Sequence, residues 1–285
     1  MAALERTHSP IVITTINGYD FLKPIGAGAF GSVFLAEKDF CFFAIKIISE
    51  EKYALKEIKN LEKVRLKLLH HQNIVQFVES FSNSGIYYIV LEYVDGISLF
   101  DYLKPQLGKL EEVSFLQILL QMLRAIEALH NSGFVHLDLK LENFVIDKNR
   151  RVVLIDMGCS SEIDIELQNC VGTPLYMDPR VIHESGTPAN PSMDIWSLSM
   201  VILFSYLNKT HFYLPKGLDK KEVTQFIMFT IANLTKPPIR TKLQEDKTKF
   251  GMFICDISTK CLQIDHIKRP SASELIHLVK AYMNS

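Results

Sequence analysis

The sequence predicts an α+β fold with two lobes, a small antiparallel β-rich lobe with one main helix followed by a larger α-helical lobe. Three observations lead to this prediction. The first part of the chain is rich in strand-like segments separated by glycine turns. A single helical stretch, from about Glu50 to Leu69, interrupts these segments. After the segment VDGIS, which ends at Ser98, the pattern becomes mostly helical.

The β-rich part is predicted from four apolar segments, taken here in chain order. DFLKPIGAGAFGSVFLAE and FCFFAIKII indicate glycine-turned antiparallel strands, and IVQFVESF and IYYIVLEY continue them. The intervening helix is indicated by leucine and isoleucine residues that recur at helical spacing. These residues are Leu55, Ile58, Leu61, Leu66 and Leu69.

The helical part begins with SFLQILLQMLRAIEALHNSG, a long and largely buried helix that Gly133 ends. A polar hairpin follows, with strands predicted at Asn143–Asp147 and Val152–Asp156. The remainder is mostly helical. The apolar run SMVILFSYL is shorter than the roughly 18 residues that a membrane span needs, so we interpret it as a buried helix.

Composition narrows the class of protein. The chain has 285 residues, of which 48% are hydrophobic and 22% charged, enough for a packed core. A formal net charge of −1 gives no electrostatic reason to expect nucleic acid as the main partner. The five cysteines show no zinc-binding spacing. An odd number of cysteines without a disulfide framework is typical of a reduced compartment. We therefore expect a soluble cytoplasmic protein, with the nucleus as the alternative location.

The glycine-rich segment IGAGAFGSV contains Gly26, Gly28 and Gly31 in a GxGxxG pattern. In a dinucleotide-binding fold these glycines would open a helix, but here a predicted strand follows them. An ordinary glycine-rich hairpin is the simplest alternative. Glycines would still let backbone N–H groups approach phosphate oxygens closely. Lys46, in the apolar segment AIKII one hairpin later, then favours a role facing phosphate.

A cluster of polar residues precedes the predicted hairpin of the helical part. Asp138, Lys140, Glu142 and Asn143 lie within six residues, and Asp156 ends the second strand of the hairpin. Carboxylates, an amide and an ammonium group at one end of a hairpin are typical of a site for chemistry rather than of a core.

Seven segments of the chain resemble motifs of the eukaryotic-type protein kinase domain and occur in the same order as in that family. These segments are GAGAFGSV, AIK, HLDLKLEN, DMG, GTPLYMDP, MDIWSLS and KRPSASEL. The resemblance implies a bilobal protein kinase fold over residues 19–282. It divides the domain into a first lobe at 19–91, a hinge at 92–97 and a second lobe at 98–282. Residues 1–18 would be an N-terminal leader.

The resemblance also implies roles for the polar cluster. Asp138 would accept or orient the proton of the attacking hydroxyl, and Asn143 and Asp156 would hold Mg²⁺. Lys140 would balance charge near the transferred phosphoryl group, and with Thr173 it resembles the serine/threonine class. Glu142 matches a position that often faces substrate, although a solvated carboxylate is an equal interpretation.

In this family Lys46 pairs with a helical glutamate, for which Glu57 and Glu62 are the candidates. Counting back from the segment HQNIV selects Glu62, and Glu57 is then expected to be an exposed charge. The resemblance places Leu91 as gatekeeper before the adenine contacts. The full set of expected ATP-binding residues is Ile25, Gly26, Ala27, Gly28, Gly31, Val33, Ala44, Lys46, Leu91, Glu92, Val94, Val145 and Asp156.

The sequence departs from the family at three positions that matter. Leu137 replaces the arginine before the catalytic aspartate, so we expect activity that does not depend on a phosphate bound at this position. Met157 replaces a phenylalanine, which is a mild change. Arg180 replaces a glutamate that usually pairs with an arginine matching Arg269, so two arginines would meet, and Asp178 could relieve the contact.

Three functions are compatible with these features. The leading one is a serine/threonine protein kinase that uses ATP and Mg²⁺ on protein substrates, as a monomer. The alternative is a pseudokinase that acts as a binding or scaffolding module. Loss of a catalytic residue would favour it, but this chain retains Lys46, Asp138, Asn143 and Asp156. A small-molecule kinase on a related fold is disfavoured by GTPLYMDP and KRPSASEL, which resemble the protein-substrate lobe.

Overall fold

A computed structural model describes residues 14–28, 31–68, 70–106, 110–168, 172–183, 186–207, 217–239 and 241–285. Contacts divide the chain into two compact units. The first contains the residues up to Ile58 and Phe77–Tyr93, and the second contains Lys59–Gln76 and Val94–Ser285. The predicted leader lies largely outside the described residues, and its limit and those of the hinge stay predictions.

The first unit is built on an antiparallel sheet. Its strands are β1 (Thr14–Ile16), β2 (Tyr19–Gly28), β3 (Gly31–Lys38), β4 (Cys41–Ile48), β5 (Phe77–Asn83) and β6 (Ile86–Glu92). Their order in the sheet is β1-β2-β3-β4-β6-β5. Buried aromatic and β-branched residues form its core, among them Tyr19, Ile45 and Val90. The rings of Phe81 and Tyr88 stack with their centroids 4.9 Å apart. The predicted β-rich part is therefore confirmed.

Helix α1 (Glu51–Lys67) forms where the leucine and isoleucine spacing predicts a helix. Its buried positions lie on one face of the helix and are Ala54, Glu57, Asn60, Leu61 and Val64. Leu55 and Leu66 are 50% and 80% exposed, so the leucines that indicate the helix do not all lie on its buried face. Leu69 lies outside the described residues.

The second unit is mainly helical. Its helices are α2 (Leu99–Leu103), α3 (Glu112–Asn131), α4 (Pro179–His183), α5 (Pro191–Leu207), α6 (Lys220–Ala232), α7 (Thr241–Gln244), α8 (Lys249–Cys261) and α9 (Ala272–Met283). Helix α3 packs against α9, and α5 packs against α8. Both long predicted helices are largely buried, which confirms the interpretation of the apolar run within α5. No helix in the described ranges is long and apolar enough to cross a membrane.

Short strands of the second unit position its polar cluster. They are β7 (Gly96–Ser98), β8 (Phe134–Val135), β9 (Phe144–Asp147), β10 (Val152–Leu154) and β11 (Ser161–Glu162). Strand β9 pairs with both β10 and β7, and β11 pairs with β8. The hairpin β9–β10 is the one that the sequence predicts. The polar loop between β8 and β9 is therefore fixed at both ends by strand pairing.

Candidate active site

The glycine-rich segment joins two antiparallel strands. Gly26 pairs with Val33 across β2 and β3, and Gly28 pairs with Gly31. A Cβ atom on Gly31 would collide with the carbonyl oxygen of Ile47, so a close approach of backbone requires glycine here. The predicted antiparallel pairing is confirmed, and the dinucleotide alternative is excluded because strand β3 begins at Gly31. Ile25 and Ala27 are exposed on β2, and their contact with nucleotide stays a prediction.

Strand register places several predicted ATP-binding residues on one face of the first sheet. Val33 pairs with Lys46, and Ala44 pairs with Leu91, in neighbouring strands. Directly paired residues, and residues two apart in one strand, point to the same face. Val33, Ala44, Lys46 and Leu91 are therefore brought together. Their contact with adenine or phosphate remains a prediction.

The remaining predicted adenine contacts are divided between the two units. Glu92 ends β6 in the first unit and is half-buried. Val94 and Val145 belong to the second unit, where Val94 is buried and Val145 is half-buried in β9. Their contact with adenine stays a prediction.

Lys46 forms its ion pair with Glu57, not with Glu62. The Lys46 Nζ atom lies 2.8 Å from both carboxylate oxygens of Glu57, and both residues are buried. The prediction that Glu62 is the partner, and that Glu57 is an exposed charge, is wrong. Five residues along an α-helix correspond to about 500° of rotation, or 140° beyond a full turn, so Glu62 points away from the face that carries Glu57. Glu62 is exposed.

Replacing Glu57 by glutamine is expected to lower the free energy of unfolding by about 1.5–3 kcal/mol, because the buried Lys46 ammonium loses its charged acceptor. Denaturation in urea measures this difference. The matched control is Glu62→Gln on the same helix, where we expect a change within about 0.5 kcal/mol. Equal losses in the two variants would contradict the assignment of Glu57 as the partner.

The polar cluster of the second unit is centred on Asp138. Its Oδ2 accepts a bond of 2.6 Å from Lys140 Nζ, and its Oδ1 accepts one of 2.7 Å from Thr173 Oγ1. Lys140 Nζ also donates to Thr173 Oγ1 at 3.0 Å. The Asn143 amide donates to the Asp138 carbonyl oxygen at 2.8 Å and to its carboxylate at 3.2 Å. Asp138, Lys140 and Asn143, which the sequence groups together, are thus joined with Thr173 in one hydrogen-bonded network, whereas Glu142 is exposed.

Buried groups hold the backbone of this loop. The carboxylate of Asp194, on α5, accepts hydrogen bonds from the backbone N–H groups of His136 and Leu137 at 2.8 and 2.9 Å. Burial by itself would raise the pKa of Asp194, but the hydrogen bond from His130, the electrostatic interactions with His130 and His136 and the backbone donors outweigh it, so the pKa lies below its usual range. Asp194 is therefore ionised and anchors the loop that carries Asp138.

Asp156 follows β10 and lies on a chain segment bonded to Asn143. The backbone N–H of Ile155 donates to the Asn143 carbonyl oxygen at 3.0 Å, and the N–H of Gly158 donates to Asp156 Oδ1 at 2.9 Å. A carboxylate and an amide oxygen are ligands that suit Mg²⁺. No group of three or more histidine, cysteine or acidic residues within the described ranges could hold a metal alone.

Asp178 bridges Arg269 and Arg180, the arginine that stands where the family usually has a glutamate. Arg180 donates to both oxygens of the Asp178 carboxylate at 3.1 and 3.0 Å, and Arg269 also donates to it. The Asp178 side chain is fully buried. Burial favours a higher pKa for Asp178, but the charges and hydrogen bonds of the two arginines keep the pKa below its usual value. Asp178 therefore relieves the like-charge contact between Arg180 and Arg269, as the sequence analysis considered.

Leu137 replaces a charged contact with an apolar one. Its side chain is buried in a cluster that also contains Val135, Leu167, Ala189 and Met193. Gly172 passes so close to the Leu137 carbonyl oxygen that a Cβ atom would collide with it, and its φ of +100° favours glycine. Leu167, Gly172 and Ala189 therefore pack closely against this loop.

Complete dephosphorylation is expected to leave the phosphoryl-transfer rate of the protein unchanged, since Leu137 cannot bind a phosphate and its neighbours are apolar. The measurement compares phosphatase-treated and untreated protein, with mass spectrometry to verify removal of phosphate. Strong inactivation by the phosphatase would refute the expectation.

The sequence reasoning missed Glu57 and did not single out Asn60. The signal that could have found both is the helical spacing of the buried face of α1. Ala54, Glu57, Leu61 and Val64 are spaced by three, four and three residues, and Asn60 lies three residues after Glu57 and four before Val64. A polar residue on such a face requires a partner. Asn60 Nδ2 donates to the Ser160 carbonyl oxygen at 2.8 Å.

Comparisons with known proteins identify the family of this chain. The family model described as "Protein kinase domain" matches residues 19–279. Serine/threonine-protein kinase fray1 of Dictyostelium discoideum is 30% identical over 273 residues, covering 91% of this chain and 45% of that protein. MAP3K epsilon protein kinase 1 of Brassica napus is 31% identical over 271 residues, covering 92% of this chain and 20% of that protein.

A third relative, human serine/threonine-protein kinase Nek5, is 34% identical over 193 residues, 65% of this chain and 27% of that protein. The chain thus spans less than half the length of each of these three relatives. The antiparallel sheet of the first unit and the helical second unit confirm the predicted α+β, bilobal fold class. Together with the matched model, these findings show that the chain belongs to the eukaryotic-type protein kinase family.

Proposed function

We propose that the chain is a serine/threonine protein kinase, which transfers the γ-phosphate of ATP to hydroxyl groups of protein substrates. The observation that carries the proposal is the network around Asp138, in which Lys140, Thr173 and Asn143 all donate to one carboxylate group or its backbone. Phosphoryl transfer requires mainly positioning and charge neutralisation, and this network supplies fixed groups of both signs.

Asp138 would orient the attacking hydroxyl and accept its proton. Its carboxylate is 11% exposed and bonded on both oxygens, which limits the directions from which a substrate hydroxyl can reach it. Lys140, with a side chain 23% exposed, would lie beside the transferred phosphoryl group. The contact between Lys140 and Thr173 supports the serine/threonine class. Two of the relatives named above, fray1 and Nek5, are serine/threonine-protein kinases, which supports the same class.

Nucleotide would be bound by the residues that the family resemblance assigns. Lys46, held by Glu57, would contact the phosphates, and the backbone from Gly26 to Gly31 would lie over them. Asn143 and Asp156 would supply oxygen ligands for Mg²⁺, which neutralises phosphate charge when it is bound. Ala44, Leu91, Glu92, Val94 and Val145 are proposed to contact adenine. Protein substrates, a monomeric state and a cytoplasmic location belong to the same proposal.

The test is transfer of labelled phosphate from ATP with Mg²⁺ to a mixed protein substrate, followed by phosphoamino acid analysis. We expect label on serine and threonine that disappears when EDTA removes the metal. A folded protein that binds ATP but transfers no phosphate would overturn the enzymatic proposal in favour of a pseudokinase. Label on tyrosine alone would overturn the substrate class.

A further inference from the structure

One face of helix α1 carries polar side chains that contact other parts of the second unit. Asn60, Lys63 and Lys67 are spaced by three and four residues, so they lie on the same side of the helix. Asn60 donates to Ser160, and Lys63 Nζ lies 2.6 Å from Glu162 Oε1. Lys67 Nζ donates to the Ser132 carbonyl oxygen at 2.7 Å.

The Asn60 contact is the most buried of the three. Asn60 is 5% exposed and Ser160 is fully buried. Besides its bond to the Ser160 carbonyl oxygen, the Asn60 amide lies 3.3 Å from Ser160 Oγ. The Ser160 hydroxyl donates in turn to the Met157 carbonyl oxygen at 2.6 Å. Asn60 therefore fixes the turn that begins directly after Asp156.

The Lys63 contact holds the strand that follows this turn. Glu162 lies in β11, which pairs with β8, and the N–H of Ile163 donates to the Gly133 carbonyl oxygen at 2.9 Å. The hydrogen bond from Lys63, with the charges of Lys63, Lys59 and Lys67, keeps the pKa of Glu162 below its usual value despite the opposing effect of burial. The ion pair is about two-fifths exposed, so it contributes less than the buried amide contact.

We propose that Asn60 and Lys63 are positioning residues of the kinase, which hold residues 156–163 in their working arrangement without a phosphate on the segment between Asp156 and Arg180. The inference rests on the proposed function, because the segment matters through Asp156. Leu137 offers no charged group for a phosphate, whereas the contacts of Asn60 and Lys63 are made by unmodified residues. Asn60 is the principal residue, since removing its donor leaves a buried carbonyl group without that bond.

The experiment compares Asn60→Leu, which keeps a similar volume but loses the donor, with Lys63→Ala. Lys56→Ala, at an exposed lysine of the same helix, is the matched control. Amide hydrogen exchange is measured at Ser160 and Ile163 in unliganded protein. Asn60→Leu is expected to accelerate exchange there by about tenfold or more, and Lys63→Ala by less, while the control changes nothing.

A second readout is the Mg²⁺ concentration that gives half-maximal phosphoryl transfer, measured well below the melting temperature of each variant. We expect this concentration to rise several-fold in Asn60→Leu, because Asp156 is less well fixed, whereas a purely structural role would leave it unchanged. Unchanged exchange and an unchanged Mg²⁺ requirement would overturn the proposal.

The two proposals fail in different ways. If the wild type transfers no phosphate, the proposed function is refuted, while hydrogen exchange still decides whether Asn60 holds the segment. Should Asn60→Leu not fold, Asn60→Asp gives the same exchange readout, because it keeps the shape of the side chain and replaces the donor by an acceptor. Unaltered exchange in that variant would equally overturn the inference.

Discussion

Replacing Asp138 by asparagine is expected to lower kcat for phosphoryl transfer by about 10²–10⁴-fold, the usual contribution of a positioned general base. This loss corresponds to about 3–5 kcal/mol in the activation free energy. Asparagine has nearly the same shape but cannot accept a proton, and its amide group would face the donors Lys140 and Thr173. We expect the KM for ATP to change little, because the proposed role of Asp138 concerns the hydroxyl substrate.

The measurement is steady-state transfer to a protein substrate, with thermal unfolding to verify the fold. A suitable control is Asp256→Asn, since Asp256 is an exposed carboxylate of α8 that contacts only Lys260 among the interactions described. The control should retain the wild-type rate. Full activity of Asp138→Asn would refute the role of Asp138 as base, and equal losses in both variants would indicate a general effect of lost charge.

Replacing Asp178 by alanine is expected to cost about 3–5 kcal/mol in the free energy of unfolding, as is usual when one partner of a buried ion pair is removed. Two guanidinium groups share this carboxylate, and the side chains of both Asp178 and Arg269 are fully buried. Without it, Arg180 and Arg269 would face each other with no anion between them. Urea denaturation at neutral pH measures the loss.

The double variant Asp178→Ala, Arg180→Glu tests this explanation directly. It restores the residues that the family usually carries at these positions, so that a glutamate can again pair with Arg269. We expect it to recover most of the lost stability. Arg180→Ala alone should cost much less, because the Arg180 side chain is 23% exposed and the contact between Asp178 and Arg269 remains. A double variant as unstable as Asp178→Ala would contradict the proposed exchange of partners.

The ionisation of Asp178 also makes the stability of the protein depend on pH, in a direction that can be predicted. The pKa of Asp178 is lower in the folded protein than its ordinary value of about 3.9 in an unfolded chain. Its contribution to stability is therefore complete above that unfolded value and is lost as the pH falls through the lower, folded value. The difference in stability between wild type and Asp178→Ala should accordingly shrink only in strongly acidic solution.

The sequence by itself determined the features that depend on neighbours along the chain. Asp138, Lys140 and Asn143 lie within six residues, and a loop held between β8 and β9 necessarily keeps them together. The glycine hairpin and the apolar strand around Lys46 are equally local. For this reason the fold class, the kinase family and the membership of the polar cluster followed from motifs and their order.

Only the tertiary structure decided which distant side chains meet. The choice of Glu57 over Glu62 depends on the rotation of α1 about its axis, which a count of residues from a motif does not give. Asp178 and Arg269 are 91 residues apart, and Asn60 and Ser160 are 100 residues apart. Such contacts form only when helices and strands pack together. A buried polar or charged side chain then pairs with a group that lies within hydrogen-bonding distance, because an unpaired buried group is costly.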